Sequence, residues 1–179
     1  MSSRIKTKIC EVKDFPKPGI GFKDITPVLQ DPGTFRHALL LMASWASTKN
    51  ADVIVGIESR GFIFGAPIAF LVNAGFVPVR KKGKLPRKTV RAQAPNEYAV
   101  EQFEIHAEDI RPGQRVIIVD DLVATGGSLA SSIELVRKLQ GEVIGALAVV
   151  ELRFLKGVEK IKSTYPEVEV FTLVQYDEA

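Results

Sequence analysis

RVIIVDDLVATGGSLASS, residues Arg115 to Ser132, sets out in order a strand, an acidic pair, a small-residue loop and the opening of a helix. Val116, Ile117, Ile118 and Val119 form an unbroken β-branched run, the pattern of a parallel strand covered by helices on both faces. Leu129, Ile133, Val136 and Leu139 recur at helical spacing, and Gly141 is the expected left-handed stop of that helix. Between strand and helix, Ala124, Thr125, Gly126, Gly127 and Ser128 lack bulk. Their backbone N–H groups can converge on an anion while the helix N-terminus adds favourable partial charge, so the loop reads as a phosphate cradle.

Asp120 and Asp121 stand at the carboxyl end of the strand, a few residues before the cradle. Carboxylates accept hydrogen bonds from hydroxyls, so a ligand with a sugar diol at one end and a phosphate at the other satisfies both features. Ribose 5-phosphate has that form. The alternative for an acidic pair at a strand end is metal binding or phosphoryl acceptance, for which a phosphate cradle so close behind has no clear role. The loop is not a P-loop, because no Lys follows the glycines.

Working outward, Asp31 and Pro32 provide a cap and a first-turn proline for a helix with Phe35, Leu39, Met42 and Ala46 on one face. Residues 51–57 predict a buried strand, 58–61 a tight turn, 62–73 a helix and 76–80 a further strand. After a turn at 108–114 come the diagnostic strand and helix, then strands at 143–152 and 168–175. The alternation predicts an α/β fold, a mostly parallel twisted sheet flanked by helices, in one domain spanning 1–179. Residues 1–50 form an N-terminal hood and helix, and residues 81–100, rich in Lys, Arg and Pro, an excursion of the length typical of a lid. Pro78 argues for an edge position in its strand, or for the strand ending early. Loops at the carboxyl ends of parallel strands gather around one crevice, so 58–61, the lid and 120–128 are expected to share a site.

With 179 residues, 46% of them apolar, the chain has material for one packed domain. No apolar run is long enough to cross a bilayer and MSSRIKTKIC lacks a signal-peptide core, so a cytoplasmic location is expected. A lone Cys10 cannot form an intramolecular disulfide and is not the signature of a nucleophile. The net charge of +3 is unevenly placed. Residues 59–96 contain no acid but eight bases, Arg60, Arg80, Lys81, Lys82, Lys84, Arg87, Lys88 and Arg91, leaving 16 bases against 21 acids elsewhere. Such a band focuses field on a small polyanion, whereas an acidic remainder would repel a long nucleic acid.

At this point the chain resembles the type I phosphoribosyltransferases, whose signature is a hydrophobic strand, two acids and a Thr-Gly-Gly-Ser/Thr loop. The Ala-Thr-Gly-Gly-Ser version is similar to the adenine branch, as are FPKPGIGFKDITPVL (15–29), GIESRGFIFGAP (56–67), VRKKGKLP (79–86) and EYAVEQFEIH (97–106). The resemblance spans nearly the whole chain. It implies transfer of the 5-phosphoribosyl group from phosphoribosyl pyrophosphate to adenine, with Mg2+ arriving on the substrate rather than in a protein metal site, no nucleic-acid or membrane partner, and a homodimer.

The same resemblance implies residue roles. Glu58, Ser59, Arg60 and Gly61 correspond to a pyrophosphate loop, a sharp turn that often contains a cis peptide without proline. Arg80, Lys81 and Lys84 would add positive charge, and Asp120, Asp121 and the cradle residues Ala124, Thr125, Gly126, Gly127 and Ser128 would hold the ribose phosphate. Glu97 would move a proton on the base, with Glu101 and Glu104 as nearby competitors, and Tyr98 would close the site. Ile20, Gly21, Phe22 and Lys23 would form the adenine hood. A transferase for another base and a nucleotide-sensing regulator remain the alternatives; no segment matches a DNA-binding domain.

Overall fold

The computed structural model describes residues 3–15, 17–19, 21–93 and 102–178. The N-terminal part holds α1 (Ser3–Lys6), a hairpin of β1 (Cys10–Val12) and β2 (Phe22–Asp24), then α2 (Thr26–Gln30) and α3 (Pro32–Ser47). Asp31 caps α3 through its side chain, accepting from the Thr34 amide at 2.7 Å, with Pro32 in the first turn as its fixed φ favours. The core continues with β3 (Val53–Ile57), α4 (Arg60–Leu71) and β4 (Gly75–Lys81), then β5 (Thr89–Gln93) and β6 (Gln102–His106). It closes with β7 (Arg115–Val123), α5 (Gly127–Lys138), β8 (Glu142–Leu152), α6 (Gly157–Thr164) and β9 (Glu169–Tyr176).

Seven strands form one sheet in the order β5-β6-β4-β3-β7-β8-β9, parallel from β4 to β9 and antiparallel at β6. The unbroken apolar runs become its middle. Val53, Val55 and Ile57 of β3 and Val116 and Ile118 of β7 join the core layer that includes Leu129, Ile133 and Val136 of α5. Ile54, Ile117 and Val119 point the other way into the layer with Ala38 and Met42 of α3 and Phe64 and Ile68 of α4. Successive side chains in a strand face opposite sides, so a strand covered on both faces needs an apolar residue at every position. Burying each such Val or Ile contributes about 1.5–3 kcal/mol.

Two expectations change. The 81–100 excursion is not all irregular: β5 pairs antiparallel with β6 from Thr89↔His106 to Gln93↔Gln102. At the end of α5 the left-handed position falls on Gln140, at φ 62°, one residue before Gly141. Gly141 is small for a different reason, because a Cβ there would lie 2.8 Å from both Ile110 and Val136. Pro78 lies where β4 is an edge. β4 meets β6 only at Arg80 and Lys81, and the Val79 carbonyl accepts from Glu58 on the β3 side. The alternating backbone therefore turns the Pro78 nitrogen outward, where no ladder donor is needed.

Candidate active site

The carboxyl ends of β3 and β7 open into a cleft of about 450 Å3, lined by Glu58–Arg60, Lys81, Lys84, Phe103 and the stretch Asp120–Leu129. A close backbone approach brings the first turn of α4 to the end of β7. A Cβ on Gly61 would sit 2.6 Å from the Val119 carbonyl oxygen and 3.2 Å from the Asp120 Cα, so only glycine fits. Arg60 is thereby placed beside the acidic pair, and its Nε donates to Asp121 Oδ2 at 2.5 Å. The Glu58–Ser59 peptide just before it is cis.

The cradle is built from both sides. Gly126, at φ 84°, is the N-cap of α5 and supplies no capping side chain, so the first amides of the helix have no side-chain acceptor from that position. An anion is their natural partner. Beneath the loop lies Gly157, the first residue of α6. A Cβ at 157 would stand 2.8 Å from the Gly126 nitrogen and 2.9 Å from the Thr125 carbonyl carbon. Ser131 and Ser132, buried one turn into α5, return their hydroxyls to the Gly127 and Ser128 carbonyls at 3.0 and 2.8 Å. Gly157 is a site-building residue that sequence reading missed, since a lone Gly before a short helix carries no signal of what packs against it.

The charges of the cleft are largely paired with one another. Glu58, deeply buried, accepts from the Lys81 amide at 3.0 Å, from Arg80 Nε at 3.3 Å and from the Lys84 ammonium. Burial pushes its carboxyl up, but the Lys84, Lys81 and Arg80 donors prevail and hold it below the usual carboxylate range. Asp120 goes the other way: burial, reinforced by the neighbouring Asp121 carboxylate, raises its carboxyl well above the usual range. Its Oδ1 accepts from the Asp121 amide at 2.9 Å.

The basic band divides. Lys81 and Lys84 line the cleft, and Arg80 reaches Glu58 and the Lys84 carbonyl. Arg87 instead binds Asp109 at 2.6 Å and lies 3.0 Å from the His106 ring, while Arg91 binds Glu104 at 3.3 Å. Those two cations brace the β5–β6 pair and its following turn and do not line the cleft.

The hood divides as well. Phe22 stacks edge-on with Phe15 at 5.2 Å, and its ring centroid lies 5.6 Å from the Arg60 guanidinium, so it adjoins the cleft. Lys23, the next residue of the strand, points the other way. Its buried ammonium meets Glu11 Oε2 at 2.7 Å and lies 4.8 Å from the Tyr176 ring centroid, tying the hood to β9. The Lys23 side chain is therefore not brought to the site, and only its backbone remains for a base. Gly21 precedes Phe22 at the same edge, whereas Ile20, Glu97, Tyr98 and Glu101 lie outside the described residues. Glu104 is no competitor for proton transfer, because backbone and side-chain donors from residues 83–91 occupy both its oxygens.

An acidic pair, an uncapped small-residue loop and a cationic rim thus meet at the carboxyl ends of parallel strands, and residues 31–178 match the phosphoribosyl transferase domain. The adenine phosphoribosyltransferase of Acidobacterium capsulatum is 48% identical over 174 residues, 97% of this chain and 94% of that protein. The crystal structure of the Thermoanaerobacter pseudethanolicus enzyme of the same name aligns at a TM-score of 0.92 and 43% identity, covering 98% of this chain and all of that one. A third, from Saccharomyces cerevisiae, crystallised with adenine and an imino-altritol bisphosphate, aligns at 0.86 and 41%, covering 96% and 97%. The chain belongs to the adenine phosphoribosyltransferases.

Proposed function

We propose that the chain transfers the 5-phosphoribosyl group from phosphoribosyl pyrophosphate to adenine, giving AMP and pyrophosphate. The observation that carries this is the juxtaposition, in one cleft, of the cradle at Gly126, the Asp120–Asp121 pair and the cations Arg60 and Lys84. The 5-phosphate takes the free amides at the start of α5, the ribose hydroxyls face the two aspartates, and pyrophosphate meets the cationic rim. In the reaction the ribose C1–oxygen bond to pyrophosphate breaks as the bond from C1 to adenine N9 forms. Negative charge grows on the leaving group, where Arg60, Lys81 and Lys84 stabilise it, and positive charge on the ribose ring, where Asp121 stabilises it. The proton lost by the base is assigned to Glu97, with Tyr98 closing the site. Proton transfer of this kind contributes about 10²- to 10⁴-fold.

Gly21, Phe22 and the Lys23 backbone, with Ile20, supply the base site: the Phe22 ring offers a stacking face, and the strand edge offers amides and carbonyls to the purine. A site built for the adenine amino group leaves a buried polar group unpaired with hypoxanthine, a mismatch that can cost about 10⁴-fold or more.

Mg2+ is the implied cofactor. Among the described residues no group of three or more acidic, His or Cys side chains could hold a metal alone. That suits an ion that keeps waters and takes substrate phosphates. Of the three acids lining the cleft, Glu58 and Asp121 are paired with cations and Asp120 is costly to ionise, so the substrate oxygens and water are the fitting donors. Held on the substrate, Mg2+ would supply charge neutralisation for the departing pyrophosphate.

The working unit is a homodimer in the cytoplasm. Supporting the first, α4 turns Ile63, Ala66 and Phe70 outward on one face, with Phe70 86% exposed. No helix among the described residues is long and apolar enough to cross a membrane.

The test is pyrophosphate release from phosphoribosyl pyrophosphate with adenine, hypoxanthine, xanthine and orotate in turn. Turnover with adenine at least 10³-fold above the others is expected. Turnover confined to another base would overturn the substrate assignment.

A further inference from the structure

Glu104 is a buried carboxylate, 1% exposed, for which the transfer reaction has no use. Its Oε1 accepts from the backbone amides of Gly83 at 2.8 Å and Leu85 at 3.4 Å. Its Oε2 accepts from Thr89 Oγ1 at 3.2 Å and Arg91 Nε at 3.3 Å. Burial alone would push its proton affinity up, but the Gly83 and Leu85 amides, Arg91 and Thr89 outweigh it, and the group stays ionised below the usual range. A charge held this firmly inside the β5–β6 pair fixes whatever its donors flank.

What they flank is Lys84. Gly83 and Leu85 are its two chain neighbours, and Gly83 takes the left-handed turn, φ 85°, that directs the chain there. The Lys84 carbonyl accepts from Arg80 at 3.2 Å, and its ammonium sits on Glu58. A half-exposed lysine has a flexible stem, and when a polyanion draws the ammonium away from Glu58 one of its anchors is released. The anchors that remain are the Arg80 contact and the Glu104 grip on the two flanking amides.

We infer that Glu104 is a positioning residue that holds Lys84 where it meets the pyrophosphate of the substrate. The inference rests on the proposed pyrophosphate role of Lys84, and the experiment separates the two. A glutamine at 104 keeps one acceptor oxygen but turns an NH2 group toward one of the two donor pairs, so one side of the clamp is lost.

Steady-state kinetics of wild type, E104Q, K84A and the double variant, varying each substrate in turn, read the outcome. In E104Q the KM for phosphoribosyl pyrophosphate should rise about tenfold, the equivalent of one charged hydrogen bond, with the KM for adenine within about twofold of wild type. K84A should show a rise at least as large, and the double variant no more than K84A alone, because Glu104 acts through Lys84. A general packing defect would instead add to the K84A loss and move both KM values. If E104Q does not fold, E104D keeps the charge beside Arg91 while its shorter reach withdraws the acceptor from the amides, and the same rise is expected. Unchanged KM for phosphoribosyl pyrophosphate in a folded Glu104 variant, or additive losses in the double variant, would overturn the positioning role. Unchanged KM in K84A would overturn the pyrophosphate role of Lys84 and this inference with it.

Discussion

Burial and the adjacent Asp121 carboxylate make Asp120 costly to ionise, a cost that predicts a pH-dependent stability. A carboxyl whose folded pKa is raised binds its proton more tightly in the folded than in the unfolded chain. Its stabilising contribution is therefore complete below the unfolded pKa and is lost as pH rises through the folded one. Asp120→Asn removes the penalty while retaining an oxygen for the Asp121 amide. Its Tm should exceed that of wild type at pH 8 and converge on it toward pH 4, as followed by thermal unfolding monitored by circular dichroism. Equal Tm values across that range would show that Asp120 ionises freely. At this scale the sequence was uneven. The Asp120–Asp121 pair was legible because acids at a strand end before a glycine loop have few other uses. The partner of the Lys23 side chain was not legible, because an ion pair with Glu11, twelve residues earlier and across a hairpin, leaves no trace in a linear motif.

The cradle loop is as rigid as what packs beneath it. Gly157, at the start of α6, leaves no room for a methyl group against Gly126 and Thr125. Gly157→Ala should displace the loop by a fraction of an ångström to an ångström. Misplacement on that scale costs about 10²-fold in kcat/KM for phosphoribosyl pyrophosphate, with a smaller effect on thermal stability. Kinetics close to wild type in this variant would mean that the loop adjusts independently of its support. The elements themselves were readable where one period dominated: the β7 run, the α5 stripe and the Asp31–Pro32 start of α3 all announced themselves. The β5–β6 pair did not. Thr89–Gln93 is half-exposed and polar, and its pairing with Gln102–His106 depends on a partner beyond an intervening segment. Each strand alternates apolar and polar residues, Val90 and Ala92 in one and Phe103 and Ile105 in the other, but over only five residues, too short a run to stand out beside the Lys, Arg and Pro of the segment.

Across the whole molecule, the cleft holds its opposite charges against each other until substrate arrives: Asp121 with Arg60, and Glu58 with Lys84 and Arg80. Phosphoribosyl pyrophosphate offers hydroxyls to the acids and phosphates to the bases, so it replaces internal pairs with its own. The order of the sheet places these groups together, because β3 and β7 are neighbours whose following loops open on the same side. That convergence was inferable from the expectation of a parallel sheet, whereas the mutual pairing of the charges was not, since it depends on side-chain distances. Isothermal titration of phosphoribosyl pyrophosphate with Mg2+, in the absence of base, into wild type and Asp121→Asn shows whether this cleft binds the phosphoribosyl pyrophosphate skeleton through the acidic pair and the cradle. Wild type should bind at one site per chain, and the variant should bind about ten- to a hundredfold more weakly while remaining folded, the loss of a charge-assisted contact. Equal affinity in the two proteins would contradict the account.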